Sequence, residues 1–178
     1  SLMASTTNQD IYLPALATIT KSTAMTEMEK FFEITLDSGA DLGHMPGQFV
    51  EVSMPGIGEA PISISSSPDK QGKFDLVVRN VGRLTSAMHN LPDNARIGIR
   101  GPFGTTFPVD TDEIKGKDIV FICGGIGLVP VRSAINYVLN RRAEYGQVSI
   151  LYGTKTPADR LFVDELDQWA KPDDVKFM

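Results

Sequence analysis

Cysteine is almost missing from this chain, Cys123 being the only one. A single thiol builds no intrachain disulfide framework and no iron–sulfur cluster held wholly by the chain's own thiolates. Histidine is nearly as scarce, with only His44 and His89, so a zinc site would be poorly supplied. Cationic excess is missing too. The 17 Lys and Arg stand against 22 Asp and Glu, a net charge of −5, which leaves no electrostatic footprint for nucleic acid and no basic patch for a membrane surface. No apolar run approaches the roughly 20 residues a membrane-spanning helix needs, and residues 1–10 have neither the basic start nor the apolar core of a signal peptide. These absences point to a cytoplasmic protein with no nucleic-acid partner and no membrane insertion. Any redox chemistry has to come from a bound organic cofactor or from a partner.

What is present is a change of pattern along 178 residues, enough for one domain or two small ones. From Ile11 to about Arg100 short β-prone runs follow one another: Ile11–Thr20, Lys30–Leu36, Gln48–Ser53, Ile62–Ser66, Lys73–Arg79 and Arg96–Arg100. The turn-formers of Asp37–Gly39, Met54–Gly58 and Pro68–Gly72 separate several of them. Within Lys30–Leu36, Phe31, Glu33 and Thr35 alternate with Phe32, Ile34 and Leu36. One short helix is predicted over Leu84–Asn90. Such a series, without a long helix between strands, predicts an antiparallel barrel or sandwich.

Gly101–Pro108, with two glycines and two prolines, breaks that pattern, and a boundary is expected across 108–117, giving domains 11–107 and 117–178. Beyond it the order becomes β–α–β–α–β: Ile119–Cys123, Pro130–Glu144, Gln147–Tyr152, Arg160–Ala170 and Val175–Met178. That alternation predicts a parallel sheet with right-handed crossovers. Three strands and two helices are fewer than an open doubly wound sheet carries, so this second domain is expected to be incomplete, its C-terminal part absent.

The plainest chemistry lies at its start. Ile119–Cys123 suits a strand buried on both faces, with Cys123 as a small core residue. Gly124, Gly125 and Gly127 then strip side chains from the turn, so backbone N–H groups can approach a ligand. Pro130 falls in the first helical turn, where its missing donor costs nothing. Val131, Ala134, Ile135, Val138 and Leu139 follow at helical spacing, with Arg141 and Arg142 near the helix end. Strand, glycine turn and helix N-terminus make a phosphate or pyrophosphate site. The match to G-x-G-x-x-G is partial, because Pro130 stands in place of the third glycine; by itself such a turn also serves simply as a tight connection.

Three further stretches carry residues of this kind. In Val77–Ala87 a strand ends at Arg79, Gly82 permits close approach, and Thr85 and Ser86 open a helix whose N–H groups and hydroxyls suit a phosphate, with Arg79 or Arg83 adding charge. Either hydroxyl equally serves as a plain helix cap. Glu59–Ser66 sets Ser63 among Pro61, Ile62 and Ile64, and Ile150–Asp159 carries Tyr152, Gly153 and Lys155 in a turn after a strand. Tyr152 reads equally as a packing aromatic and Lys155 as a solvated turn charge. His44 and His89 lie in or beside turn-rich stretches and are expected at the surface.

Taken in this order, the motifs resemble the ferredoxin–NADP reductase superfamily, an antiparallel Greek-key flavin-binding β-barrel followed by a parallel-sheet α/β nucleotide-binding domain, here truncated. The nearer likeness is to electron-transfer subunits such as the gamma subunit of cytoplasmic nickel–iron hydrogenases (sulfhydrogenases), with relatives in anaerobic sulfite reductase (its B-type subunit) and in the iron–sulfur subunit of dihydroorotate dehydrogenase. The resemblance implies FAD and NAD(P)H as cofactors. It implies Ser63 beside the flavin N5, as the one catalytic side chain, within the strand of Pro61, Ile62 and Ile64. Arg79, Gly82, Arg83, Leu84, Thr85 and Ser86 would hold the flavin pyrophosphate. Gly124, Gly125, Ile126, Gly127 and Pro130 match the nicotinamide-nucleotide motif, and Tyr152, Gly153 and Lys155 would hold its adenosine end. Ala60 stands where the family often has arginine. Lys155 likewise replaces an arginine, keeping the charge without the bidentate fork, so it does not set NADH against NADPH. The implied reaction passes a hydride from NAD(P)H to FAD and then single electrons to an iron–sulfur partner in a hydrogenase- or reductase-type complex. A 2Fe–2S cluster is expected only in the absent C-terminal region or in a partner. The competing reading, from another class, is a non-catalytic nucleotide-binding scaffold or regulatory subunit of a redox complex.

Overall fold

Apolar and polar side chains alternating at period two put one face of a strand into a core and the other into solvent; six strands make up the first part of the described chain, and only β5 is buried along nearly its whole length. A computed structural model describes residues 12–178; the expected strand start and domain start at residue 11 lie outside them. The strands are β1 (Ala15–Ala24), β2 (Glu29–Leu36), β3 (Phe49–Met54), β4 (Gly58–Ser63), β5 (Phe74–Arg79) and β6 (Arg96–Phe103), in spatial order β4-β3-β6-β1-β2-β5. Every pairing in the sheet is antiparallel. A single bridge, Ile64 to Leu76, joins its two ends, and the Ser65 N–H donates to the Asp75 carbonyl beside it at 2.9 Å. This short seam closes the barrel and removes the free edges an open sheet would expose. Ala17, Ile19, Phe32, Ile34, Val50, Val52, Leu76, Val78, Ile97 and Ile99 fill the interior, and the helix α1 (Arg83–His89) adds Leu84 and Met88 to the same core.

Three strands differ clearly in extent from the sequence reading, and one of them, β6, runs past Arg100 to Phe103, which pairs with Phe49. β1 runs on to Ala24 because, past a bulge between Ile19 and Lys21, the polar residues Lys21–Thr23 still pair with β2. β4 covers Gly58–Ser63 rather than 62–66, since Met54 pairs with Gly58 in a tight hairpin and Ile64–Ser66 leaves the ladder to form the seam.

The second sheet holds β7 (Ile119–Gly124), β8 (Val148–Gly153) and β9 (Val175–Phe177) in that order, all parallel. The helices α2 (Leu128–Leu139) and α3 (Val163–Trp169) pack Leu128, Val129, Ala134, Ile135, Val138, Leu166 and Trp169 on Phe121, Val148 and Ile150. α2 stops at Leu139, short of Glu144, with Asn140 as its C-cap, and the Asn140 and Arg141 side chains donate to Asp69 on the barrel. Arg142–Glu144 forms a separate 3-10 turn.

The expectation that the first strand of this sheet is buried on both faces is corrected: Val120 is 58% and Ile122 74% exposed. Among the described residues β7 pairs with β8 alone, and both helices pack on the face carrying Phe121. Also corrected is the surface placement of the histidines. His44 is only 4% exposed, with Nε2 2.8 Å from the Ser66 carbonyl, and His89 is half-buried with Nε2 2.7 Å from the Val78 carbonyl. Each sits where a main-chain carbonyl near the core needs a donor. Met25, Phe31 and Val77 of the barrel join the second core, so the two sheets share apolar packing. No helix among the described residues is long and apolar enough to cross a membrane.

Candidate functional site

Gly124 and Gly153 are partners at the C-terminal ends of the parallel strands β7 and β8, the edge where ligands settle on such sheets. The chain then turns through Gly125, at φ +54, into a 3-10 turn of Gly125–Gly127 and straight on into α2. The first N–H groups of such a run have no partner within the helix and favour an anion. Pro130, third residue of α2, falls in the first turn, where its missing donor breaks no helical bond.

A glycine is often required by its own fold, as Gly125 is by its positive φ, but Gly127 and Gly153 are not. A Cβ built on Gly127 or Gly153 would meet no atom within 4 Å, and neither backbone lies in the left-handed region. The missing side chains leave open space beside main-chain amides, which fits a ligand lying along the backbone.

The space at Gly153 belongs to a cleft of about 680 Å³ between the two sheets. One wall is the β1–β2 hairpin with the end of β5: Thr26, Glu27, Met28, Glu29 and Arg79. The other is Gly124, Gly125 and Ile126 with Gly153, Thr154, Lys155 and Asp159. Glu29 is buried, accepts from Arg79 at 3.3 Å and also accepts a short hydrogen bond from the Thr26 hydroxyl. Thr26 Oγ1 in turn accepts the Glu29 N–H at 3.0 Å, so the hairpin wall is braced from within. The Thr156 hydroxyl donates to Asp159 at 2.9 Å and holds the opposite rim.

Of the residues singled out in the sequence, Arg79, Gly124, Gly125, Ile126, Gly153 and Lys155 line this one cleft, drawn from three distant stretches. Gly127 and Pro130 follow it into α2 without lining it. Tyr152 is half-buried and points elsewhere: its hydroxyl accepts the Leu161 N–H at 3.2 Å, and burial pushes the phenol pKa up.

A second cradle lies at α1. Gly82 is extended at φ −163, and a Cβ there would meet only Thr85 Oγ1, at 4.0 Å. The Thr85 hydroxyl accepts from the N–H groups of Val81 (3.0 Å) and Gly82 (2.8 Å) and donates to the Gly82 carbonyl at 3.1 Å, so it caps the helix. Ser86 is half-buried, Leu84 is packed in the barrel core, and the exposed Arg83 reaches the Gly56 carbonyl at 3.4 Å. Ser63 ends β4 opposite Phe49, half-buried. Ile62 and Ile64 send their side chains into the barrel, while Pro61 is exposed. What this strand offers a ligand is its main chain, the Ser63 hydroxyl and Pro61.

Sequence reasoning missed Thr26, Glu27, Met28 and Glu29. Residues 21–29 carried no assignment between two β-prone runs, and nothing local to them says that the hairpin they form leans on the second sheet. Thr154 and Asp159 lie inside the stretch already noted after β8.

The family model of the oxidoreductase FAD-binding domain matches residues 16–107, and that of the oxidoreductase NAD-binding domain matches residues 121–178. Subunit gamma of sulfhydrogenase 1 from Pyrococcus furiosus is 36% identical over 163 residues, covering 90% of this chain and 55% of the relative. Subunit gamma of sulfhydrogenase 2 from the same organism is 39% identical over 145 residues, covering 80% and 49%. A probable dihydroorotate dehydrogenase B (NAD(+)) electron transfer subunit from Archaeoglobus fulgidus is 30% identical over 148 residues, covering 82% and 57%. The chain thus spans about half the length of these curated relatives. Among solved structures, ferredoxin-NADP+ reductase from Plasmodium falciparum superposes with a TM-score of 0.77 at 19% identity, covering 93% of this chain and 69% of that one. Phthalate dioxygenase reductase gives 0.74 at 21% identity, covering 92% and 50%. At those identities the likeness is one of fold.

Proposed function

Since the chain belongs to the oxidoreductases that join an FAD-binding domain to an NAD-binding domain, we propose that it works as the flavoprotein electron-transfer part of a redox complex, taking electrons from NADH or NADPH. The observation that carries this is the cleft in which Arg79 of the barrel faces the Gly124–Ile126 turn and the Gly153–Lys155 edge. The two units are taken as 11–107 and 117–178.

FAD, when bound, supplies the two-electron acceptance of a hydride and the one-electron release that an iron–sulfur partner requires. The chain binds and orients. N–H groups at the Gly124–Gly127 turn hold the pyrophosphate of the nucleotide, and Lys155 adds a cation at the rim. Gly82, with Arg83 and Ser86, makes room for the flavin pyrophosphate, while Thr85 keeps the start of α1 rigid. The Ser63 hydroxyl, half-buried at the end of β4, would hydrogen-bond the flavin ring near N5. Ile126, apolar and 37% exposed in the turn, excludes water from the nucleotide. No side chain acts as general acid or base.

The partner is an iron–sulfur subunit of a hydrogenase- or reductase-type assembly, in keeping with relatives that are named as subunits. The scaffold reading is favoured by Ala60, which removes a cation common beside the flavin in the family. Reconstitution of the full-length protein with FAD, followed by anaerobic mixing with NADH and with NADPH, decides between them. The proposal expects a retained flavin spectrum that bleaches with at least one nucleotide. A protein that keeps no flavin refutes the flavoprotein reading, and flavin that bleaches with neither nucleotide yields a scaffold.

A further inference from the structure

The barrel's closing seam and the helix that follows the glycine turn are fastened to each other. Arg132, on the second turn of α2, donates from Nη1 to the Ser65 carbonyl at 3.2 Å and to Asp75 at 3.1 Å. Its Nε donates to Glu165 of α3 at 2.7 Å, and its guanidinium lies 4.1 Å from the Phe162 ring centroid. The next residue, Ser133, fully buried, donates from Oγ to the Ser66 carbonyl at 2.7 Å, an oxygen that His44 Nε2 also reaches at 2.8 Å. Asp75 and Ser66 are further tied by the Asp75 N–H to Ser66 Oγ bond at 2.9 Å. Ser65 and Ser66 follow Ser63 by two and three residues, and Arg132 follows Gly127 by five. So a direct polar connection between the strand assigned to the flavin ring and the turn assigned to the nucleotide runs through Arg132 and Ser133.

Resting on the function proposed above, we infer that Arg132 is a positioning residue for hydride transfer: by gripping the Ser65–Asp75 seam it sets the distance between the nucleotide-bearing turn and the flavin-bearing strand. Reacting atoms must approach to about 3–3.5 Å, and a misplacement of about 1 Å costs on the order of a hundredfold in rate. Two features separate this role from general support. The guanidinium spends its fork on the barrel seam and α3 at once, while Phe162, set perpendicular to Phe31 of β2 at a 6.1 Å centroid distance, lies beneath it. Nor is Asp75 abandoned when Arg132 is removed, because Lys70 Nζ holds its other oxygen at 2.6 Å. The loss of Arg132 therefore loosens a joint without stranding a buried charge.

The test uses the full-length, FAD-loaded protein with whichever nicotinamide nucleotide bleaches the wild type. Arg132→Ala should lower the limiting rate of bleaching at least tenfold, while the nucleotide dissociation constant moves less than threefold and FAD content is unchanged. Arg132→Lys, which keeps the charge but not the fork, should recover part of that rate. In the cofactor-free chain, Arg132→Ala should raise hydrogen exchange at the Ser65 amide and at residues 125–132 together. A limiting rate within twofold of wild type, a rate loss matched by loss of FAD or of nucleotide affinity, or unchanged exchange overturns the inference. If Arg132→Ala does not fold, Arg132→Lys and Ser133→Ala decide it: a several-fold lower limiting rate with retained affinity supports the grip, and wild-type rates in both defeat it. A wild type that dithionite reduces but neither nucleotide does defeats the proposed function first, and the two failures are told apart by that control.

Discussion

His44 looks like a surface residue in a turn-rich stretch, yet the barrel encloses it. Burial pushes its pKa below the usual 6.5, only partly countered by the Ser66 carbonyl and by Asp75. The neutral ring donates from Nε2 to a carbonyl that Ser133 also serves. A depressed folded-state pKa means the unfolded chain takes up the proton first, so the contribution of His44 is complete above about 6.5 and is lost as pH falls through the folded value. Glu33 behaves likewise at lower pH. Its own burial would raise it, but Lys70 and Lys73 outweigh that and hold it at about 2, so its contribution is present above about 4.5 and disappears as pH falls toward 2. Thermal melts from pH 7 down to pH 3 should show a fall in Tm that begins near pH 6.5 and steepens below pH 4.5. His44→Gln should flatten the first segment alone; an unchanged profile in that variant contradicts the assignment. Neither partner set was legible in the sequence, because Ser66, Asp75, Lys70 and Lys73 meet these side chains only after the sheet has closed. Gly127 and Gly153 are the opposite case: local sequence marked them, and the open space at their Cβ positions gives the physical reason.

At the scale of elements, β-prone runs set between turn-formers located the nine strands of the described residues, since strand propensity and turn chemistry are local to each segment. Ends and faces were less legible because neighbours set them. β4 begins at Gly58 because its hairpin partner β3 reaches Met54, and β7 has an exposed face because the helices pack on the other side. Past the end of α2, Asn140 and, through two bonds of 2.7 Å, Arg141 donate to Asp69. The start of α1 offered two uses for Thr85, and the geometry gives its hydroxyl to the cap. Thr85→Ala should therefore lower the stability of the cofactor-free protein by about 1 kcal/mol, read from urea unfolding, while changing FAD affinity less than threefold. A loss of FAD affinity without loss of stability would return the hydroxyl to the phosphate.

Across the whole molecule, two sheets of different kinds meet over the apolar contact of Met25, Phe31 and Val77 with the second core, beside the polar grip of Arg132. Their meeting makes the cleft, and it is why the β1–β2 hairpin became one of its walls without announcing itself in the sequence. Gly153→Val places a side chain into that cleft without meeting another atom of the chain at Cβ, so the fold should tolerate it. The most direct measurement is an anaerobic nucleotide titration of the FAD-loaded, full-length protein, wild type against Gly153→Val, followed by the rate of flavin bleaching. A dissociation constant raised at least tenfold, with FAD content and melting temperature unchanged, is the predicted result. An unchanged dissociation constant in a folded, flavin-loaded variant would mean that the nucleotide does not lie along this edge.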